Sequence, residues 1–564
     1  MRTPHTPNVN FYQSLMLQSA FMFGIGVSGL PQPAPAGLPE GRSWTRSIRT
    51  INERMPILVL LVWALLYLPR PFLLGFYHDD WWTLVEPTQG TAPFSLDRLK
   101  YFIGIHTAYA SRPVLGLFGF LASSVVGSSA MAFQVVASIL VLIAALSLRL
   151  WFNSLLAAWP QYRSVVADWA SISWMAMPWM VAVTAWPTMS HALLAQIFFT
   201  EAARVVFFPG PMTIRSGLRM TLLLIASGLT YETFYFQIFP IIALYALSSF
   251  RDGQKKRKVL MLFALSCLAQ VIPILLNRYI AQVNPGTSKK FDAQWPSLFA
   301  TNIQILPIVL RASLREHSHL WAESLRLFAV LAVCLLGVGM VRKANRSFAK
   351  QLLLIVVLGV VSCVVSTFVY SLAGYGFSYT GVESRALFGA SWSFAVVLFA
   401  LLACVLIQAS IVLRSALAVS AVAVVVVMAQ AQRTAVDEWA YVWQQEQSVL
   451  AAAPLEAISR IPHSAAILYI GPSYYKSIVI FGASWDLTAA VFAQKPLREA
   501  RSAYQDLTNI YPATDLYKWS WDGSYLIQDN PGYWTQKFAA PQLYVWDYKT
   551  SRIDEVGPGF RWPP

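Results

Sequence analysis

The stretch Tyr77-His78-Asp79-Asp80-Trp81-Trp82 follows directly on the apolar run Pro56–Tyr77. The run is long enough to cross a hydrocarbon core about 30 Å thick, and only His78 separates its end from two adjacent carboxylates. Neighbouring carboxylates repel one another, and each is costly to bury. Placed between Tyr and Trp at an apolar exit, the pair is either a solvated helix end or one wall of a site. The aromatic residues alone do not decide this, because Trp and Tyr also favour the membrane interface.

Outward from this exit, the rest of the chain has the same character. Of 564 residues, 56% are hydrophobic and 12% charged, with a mean hydropathy of +0.51. Soluble domains carry about 25% charged residues, so this composition points to a polytopic α-helical membrane protein. About eleven spans are predicted from runs of spanning length. After Pro56–Tyr77 come Ala132–Leu148, Val165–Trp186, Ala192–Phe208, Ile214–Thr230, Phe234–Leu247 and Val259–Leu276. Leu327–Val341, Leu352–Tyr370, Leu387–Ile411 and Ala416–Met428 complete the set. The run Val114–Val126 is short for a span and reads as a helix lying in the outer interface.

The net charge of +15 resides largely in short loops between these runs, the pattern that orients helices in a bilayer, and no nucleic-acid motif accompanies it. The basic loops, such as Arg149 to Arg163, Arg251 to Lys258 and Arg342 to Lys350, alternate with the uncharged or acidic turns Pro187–His191 and Tyr231–Thr233. This alternation places a cytosolic extension at 1–54, a transmembrane domain at 55–431 and an extracytoplasmic α/β domain at 432–564. Two long external loops are expected, at about 78–131 and 277–326. The location implied is a bacterial inner (plasma) membrane, with a cytosolic N-terminus and a C-terminal domain on the far side. Cys267, Cys334, Cys363 and Cys404 all lie in apolar runs without metal-ligand spacing, so neither disulfides nor a zinc site is expected. In the last domain, Val436–Arg460 reads as a helix with Trp439, Trp443 and Val449 inward, and Ala465–Ile470 as a buried strand.

Three further features fall on the same outer face. Ser111-Arg112-Pro113 precedes the interfacial helix, and a guanidinium there suits either a phosphate or simple snorkelling. Thr230-Tyr231-Glu232 places a carboxylate in an otherwise apolar turn, where it is either functional or merely solvated. Glu383-Ser384-Arg385 carries the lone basic residue of its loop, fitted to clamp a phosphate or to pair with Glu383. The topology was drawn from the basic loops alone, and all four features still converge on one side.

An acidic pair at the first outer exit, an Asp-Asp-Trp followed by Arg-Pro, an interfacial helix, a late outer arginine and a C-terminal soluble domain together resemble the GT-C superfamily. These are integral-membrane glycosyltransferases that use polyprenyl-phosphate sugars. The resemblance implies that Asp79 and Asp80 are catalytic, as general base or as holders of a divalent cation such as Mg or Mn. It implies substrate-binding roles for His78, Arg112, Tyr231, Glu232, Glu383 and Arg385, with the donor phosphate near the arginines. The expected reaction is inverting transfer from an undecaprenyl- or decaprenyl-phosphate sugar to a cell-envelope glycan or lipid. A lipid or polysaccharide transporter, a flippase, or a non-catalytic subunit of a polysaccharide assembly machine stand as alternatives. A transporter usually shows repeated halves and broken central helices, and the sequence shows neither.

Overall fold

The computed structural model describes residues 57–557 except 90, 105–108, 157–162, 209–210, 250–252, 284–293, 305–345, 379–380, 409–410, 463, 495–508, 515–516 and 531–533. The predicted span Leu327–Val341, the extension 1–54 and most of the second predicted external loop lie outside the described residues.

The helices are α1 Ile57–Tyr67, α2 Leu96–Ile103, α3 Pro113–Val126, α4 Ala130–Leu155, α5 Arg163–Ala176, α6 Val181–Ala185, α7 His191–Val206 and α8 Ile214–Thr230. They continue with α9 Ile238–Ser249, α10 Gly253–Val283, α11 Arg346–Leu372, α12 Phe388–Gln408, α13 Ile411–Ala451, α14 Leu455–Arg460 and α15 Ser484–Phe492. Among the described residues, three segments are long and apolar enough to cross a bilayer: Ala130–Leu155, Lys255–Val283 and Leu352–Leu372. Local chemistry sets several boundaries. Ser129 caps α4 through the amide of Ala132, Thr213 and Ser216 form a reciprocal box at the start of α8, and Pro113 occupies the first turn of α3.

Two predicted spans are interrupted, for the same reason. Pro69 and Pro71 remove amide donors after α1, so the chain turns through Arg70–Phe72 rather than running helical to Tyr77. Pro178 likewise divides the predicted span Val165–Trp186 into α5, a tight turn and α6. Non-helical backbone at this depth survives only where side chains satisfy it. Arg70 donates to the Leu66 carbonyl at 2.9 Å and to Thr184 Oγ1 at 2.6 Å. Gln134 Nε2 bridges the carbonyls of Gly75 and Ala185 at 2.8 and 2.6 Å, and Gln432 Nε2 donates to the Met175 carbonyl at 2.6 Å. The segments on either side of the site are thereby tied together.

The predicted last span and the helix predicted after it are one helix, α13, of 41 residues. Neither Gly nor Pro occurs between Met428 and Val436, so nothing stops helix propagation there. Pro454 then separates it from α14. The far half of α13 packs on the first exit. Tyr77 Oη donates to the Trp439 carbonyl at 3.0 Å, Trp81 stacks on Trp443 with centroids 6.1 Å apart, and Trp81 Nε1 donates to Glu446 at 3.0 Å. A Cβ on Gly75 would lie 2.0 Å from the Trp443 indole, so only glycine allows this approach.

The C-terminal domain has a sheet of order β4-β1-β8-β9, formed by Asn509–Pro512, Ala466–Ile470, Leu543–Asp547 and Arg552–Glu555. The central strand β1 is parallel to both neighbours, and β9 is antiparallel to β8. A hairpin of β2 Tyr474–Tyr475 and β3 Ile478–Val479 and an antiparallel sheet of β5 Lys518–Trp521, β6 Tyr525–Asn530 and β7 Trp534–Ala539 complete it. Trp546 is fully buried, and Trp519 stacks on Phe538, so these aromatic residues build the domain's interior.

Candidate active site

His78 adopts a positive φ of 42°, a conformation few side chains take readily. At this turn the two neighbouring carboxylates have different surroundings. Asp80 is fully buried. Its Oδ2 accepts from the Tyr77 amide at 2.8 Å, and its Oδ1 accepts from the Thr188 amide at 2.7 Å and from the Thr188 hydroxyl. Burial pushes this carboxyl up to about 8, against the opposing pull of those donors.

Asp79 keeps a third of its side chain exposed, and its Oδ1 lies 2.6 Å from His78 Nδ1. Trp485 Nε1, from the start of α15, donates to the same oxygen at 3.3 Å. No hydrogen bond to Oδ2 occurs among the described residues. Burial alone would raise Asp79, but the His78 charge outweighs it and holds the group at about 2. Burial works against the charge on His78 as well, and the Asp79 carboxylate overcomes it, raising the imidazole to about 9. Two carboxyls one residue apart are thus driven in opposite directions.

The turn after α8 brings in the second acid. Glu232 forms an ion pair with Arg112, the residue that immediately precedes α3. The Arg112 guanidinium stands 5.0 Å from the centre of the Tyr231 ring. Burial opposes the charge on Arg112, but Glu232 more than compensates and keeps its pKa above the ordinary value. The His191 ring meets the other side of this cluster, 5.0 Å from Tyr231, and its Nδ1 contacts the Thr188 carbonyl. A continuous chain of contacts therefore joins Asp80 through Thr188, His191 and Tyr231 to Arg112 and Glu232.

Arg385 lies in the turn Val382–Leu387, with Glu383 3.6 Å away. Its guanidinium sits over the rings of Tyr375 and Trp186, at 5.0 and 5.5 Å. Trp186 also meets His78, 5.7 Å away between centroids. Burial weakens the charge on Arg385, whereas Tyr231, Tyr375, Glu383 and Asp79 together hold its pKa above the ordinary value. Ser477 of the β2–β3 hairpin meets this turn, its carbonyl accepting from the Val382 amide at 3.4 Å.

The structure therefore brings His78, Asp79, Arg112, Tyr231, Glu232, Glu383 and Arg385 around one site, with Asp80 behind it as an enclosed group. Sequence reasoning missed Thr188, His191, Trp186 and Trp485. The turn Trp186-Pro187-Thr188-Met189-Ser190-His191 carried a signal, being a cluster of polar and aromatic residues between two apolar runs.

A divalent cation fits this donor set poorly. Both Asp80 oxygens are engaged by donors, Asp79 is paired with a cationic imidazole, and no three His, Cys, Asp or Glu side chains among the described residues converge on one point. The chemistry that the side chains do support pairs an ionised carboxylate, open on one oxygen, with an arginine gripped between aromatic faces.

No family model matches the chain, and no curated protein matches it. Two solved structures are similar to it, those of ArnT from Cupriavidus metallidurans bound to undecaprenyl phosphate and in the apo state. They have TM-scores of 0.35 and 0.33, 13% and 12% identity, and each match covers 83% of this chain and 90% of that chain.

Proposed function

We propose that this chain is a GT-C-type glycosyltransferase that moves a sugar from a polyprenyl-phosphate donor to a cell-envelope acceptor at the outer face of the membrane. The observation that carries this reading is that Arg385 and His78, the partner of Asp79, both meet the Trp186 ring, which brings the Arg385 charge within electrostatic reach of a carboxylate 306 positions away in sequence. One supplies negative charge where a nucleophile must lose a proton, and the other supplies positive charge where a phosphate must leave.

In the proposed reaction, an acceptor hydroxyl approaches Asp79 Oδ2. Its oxygen forms a bond to the anomeric carbon while the bond from that carbon to the donor phosphate oxygen breaks. The bonding pair departs with polyprenyl phosphate, whose growing charge Arg385 offsets, and the proton passes to Asp79. Attack opposite the leaving group inverts configuration. The His78 imidazole on Oδ1 weakens Asp79 as a base, so the proposed reaction includes displacement of His78 as the acceptor enters. Removing that cation returns Asp79 towards its ordinary range, closer to what base catalysis requires. Arg112, already matched by Glu232, orients the donor rather than carrying the leaving charge.

Undecaprenyl phosphate binding to the purified, detergent-solubilised full chain tests the leaving-group half. Arg385→Ala should weaken it by about tenfold or more, the scale of a lost charge-assisted hydrogen bond. Unchanged binding in a folded variant would overturn the reading.

A further inference from the structure

Trp485 does not belong to the membrane domain, yet it reaches into the site. It stands in the first turn of α15, and the Asp486 carboxylate beside it fixes that turn by accepting from the amides of Gly482, Ala483 and Leu487 at 3.0, 3.1 and 2.6 Å. Its indole nitrogen is spent on Asp79 Oδ1, and one edge approaches His78, with centroids 6.4 Å apart. Even so, 44% of the residue remains open, in contrast to the fully buried Trp546 of the same domain. A large flat apolar surface beside the Asp79 carboxylate is therefore anchored through its indole N–H and left partly open. The apolar faces of pyranose rings pack on surfaces of this kind, while their hydroxyls project at the rim towards polar partners.

We infer that Trp485 is the floor of the acceptor subsite, stacking a sugar ring so that one ring hydroxyl points at Asp79 Oδ2. The acceptor is then a carbohydrate, and the C-terminal domain completes the catalytic site instead of serving only as a remote recognition module. The inference rests on the glycosyltransferase reading and narrows it. Placement on the acceptor side follows from contact with Asp79, whereas Arg385 meets Trp186.

The test uses the full-length chain in detergent and, as probes, the methyl α- and β-pyranosides of glucose, galactose, mannose and N-acetylglucosamine. Saturation-transfer NMR should show at least one of these rings receiving magnetisation from the wild-type protein. The signal should fall about tenfold or more in Trp485→Ala and largely return in Trp485→Phe, which restores a flat face without the indole N–H. Equal signals from wild type and Trp485→Ala would overturn the subsite, and so would no transfer to any pyranoside, the result expected of a sugar-free lipid acceptor. Undecaprenyl phosphate binding in the same samples separates the two ideas. If Arg385→Ala abolishes it while the pyranosides fail, the donor reading stands and the subsite falls. If Arg385→Ala leaves it untouched, the donor reading fails first.

Discussion

At the scale of single residues, Asp79 and Asp80 make opposite demands on a substitution. Asp79→Asn keeps the shape and the Trp485 contact geometry but removes the charge, so the protein should fold normally. Sugar transfer should drop by about a hundredfold or more, the usual scale for a lost base. Asp80→Asn instead turns an amide towards two backbone donors in a closed space. The expected cost is about 1–3 kcal/mol of stability, read as a lower melting temperature, with activity falling only as far as folded protein is lost. The pair His78–Asp79 also sets a pH dependence. His78 is raised from its ordinary value to about 9, so its contribution to stability is complete below about 6.5 and lost as pH climbs through 9. Asp79 is lowered to about 2, so its share is present above its ordinary value and lost only as pH falls through 2. Melting temperature should therefore decline between about pH 6.5 and 9.5, and His78→Gln should lack that part of the decline. The sequence showed that this acidic pair was unusual, but not which member is enclosed and which stays partly open. That choice depends on Thr188, 108 positions away, and on Trp485, 406 positions from Asp79.

The turns and hairpins matter more than the spans at the next scale. Helix α8 begins and ends where its apolar run does, and α3 is as short as its apolar run, because caps and proline are local signals. The breaks at Pro69 and Pro178 were harder to see. Apolar runs continue through both, and only side chains from distant helices make the irregular backbone tolerable. The turn carrying Arg385 shows the same dependence. Gly381 there has φ +65° and ψ −157°, a region essentially reserved for glycine, and a Cβ would meet the Ser477 carbonyl oxygen at 2.2 Å. Gly381→Ala should cost about 1–3 kcal/mol in stability and separate the β2–β3 hairpin from the turn. Thermal denaturation of the purified variant measures the first effect. Weaker undecaprenyl phosphate binding, through a displaced Arg385, measures the second.

For the whole molecule, the alternating basic loops predict that the C-terminal domain lies outside the cytosol. Thr550→Cys, in the exposed turn between β8 and β9, should react in intact cells with a membrane-impermeant maleimide once the outer envelope is permeabilised. Labelling that appears only after the inner membrane is lysed would reverse the topology. Of the tryptophans in this domain, Trp519 and Trp546 serve its packing. The one that reaches the site has no distinguishing local context, since its importance arises from docking. The unbroken α13 also has a mechanical meaning. A helix of 41 residues is about 60 Å long, and its first half is the Val- and Ala-rich segment where the sequence predicts the last span. Its far half carries Trp439, Trp443 and Glu446, which hold the loop of Asp79. With no hinge between the halves, a change in bilayer thickness that tilts or lifts the rod also carries the loop of Asp79 with it. Under the proposed function, reconstitution in short-chain and long-chain phosphatidylcholine should give a rate optimum at one acyl length.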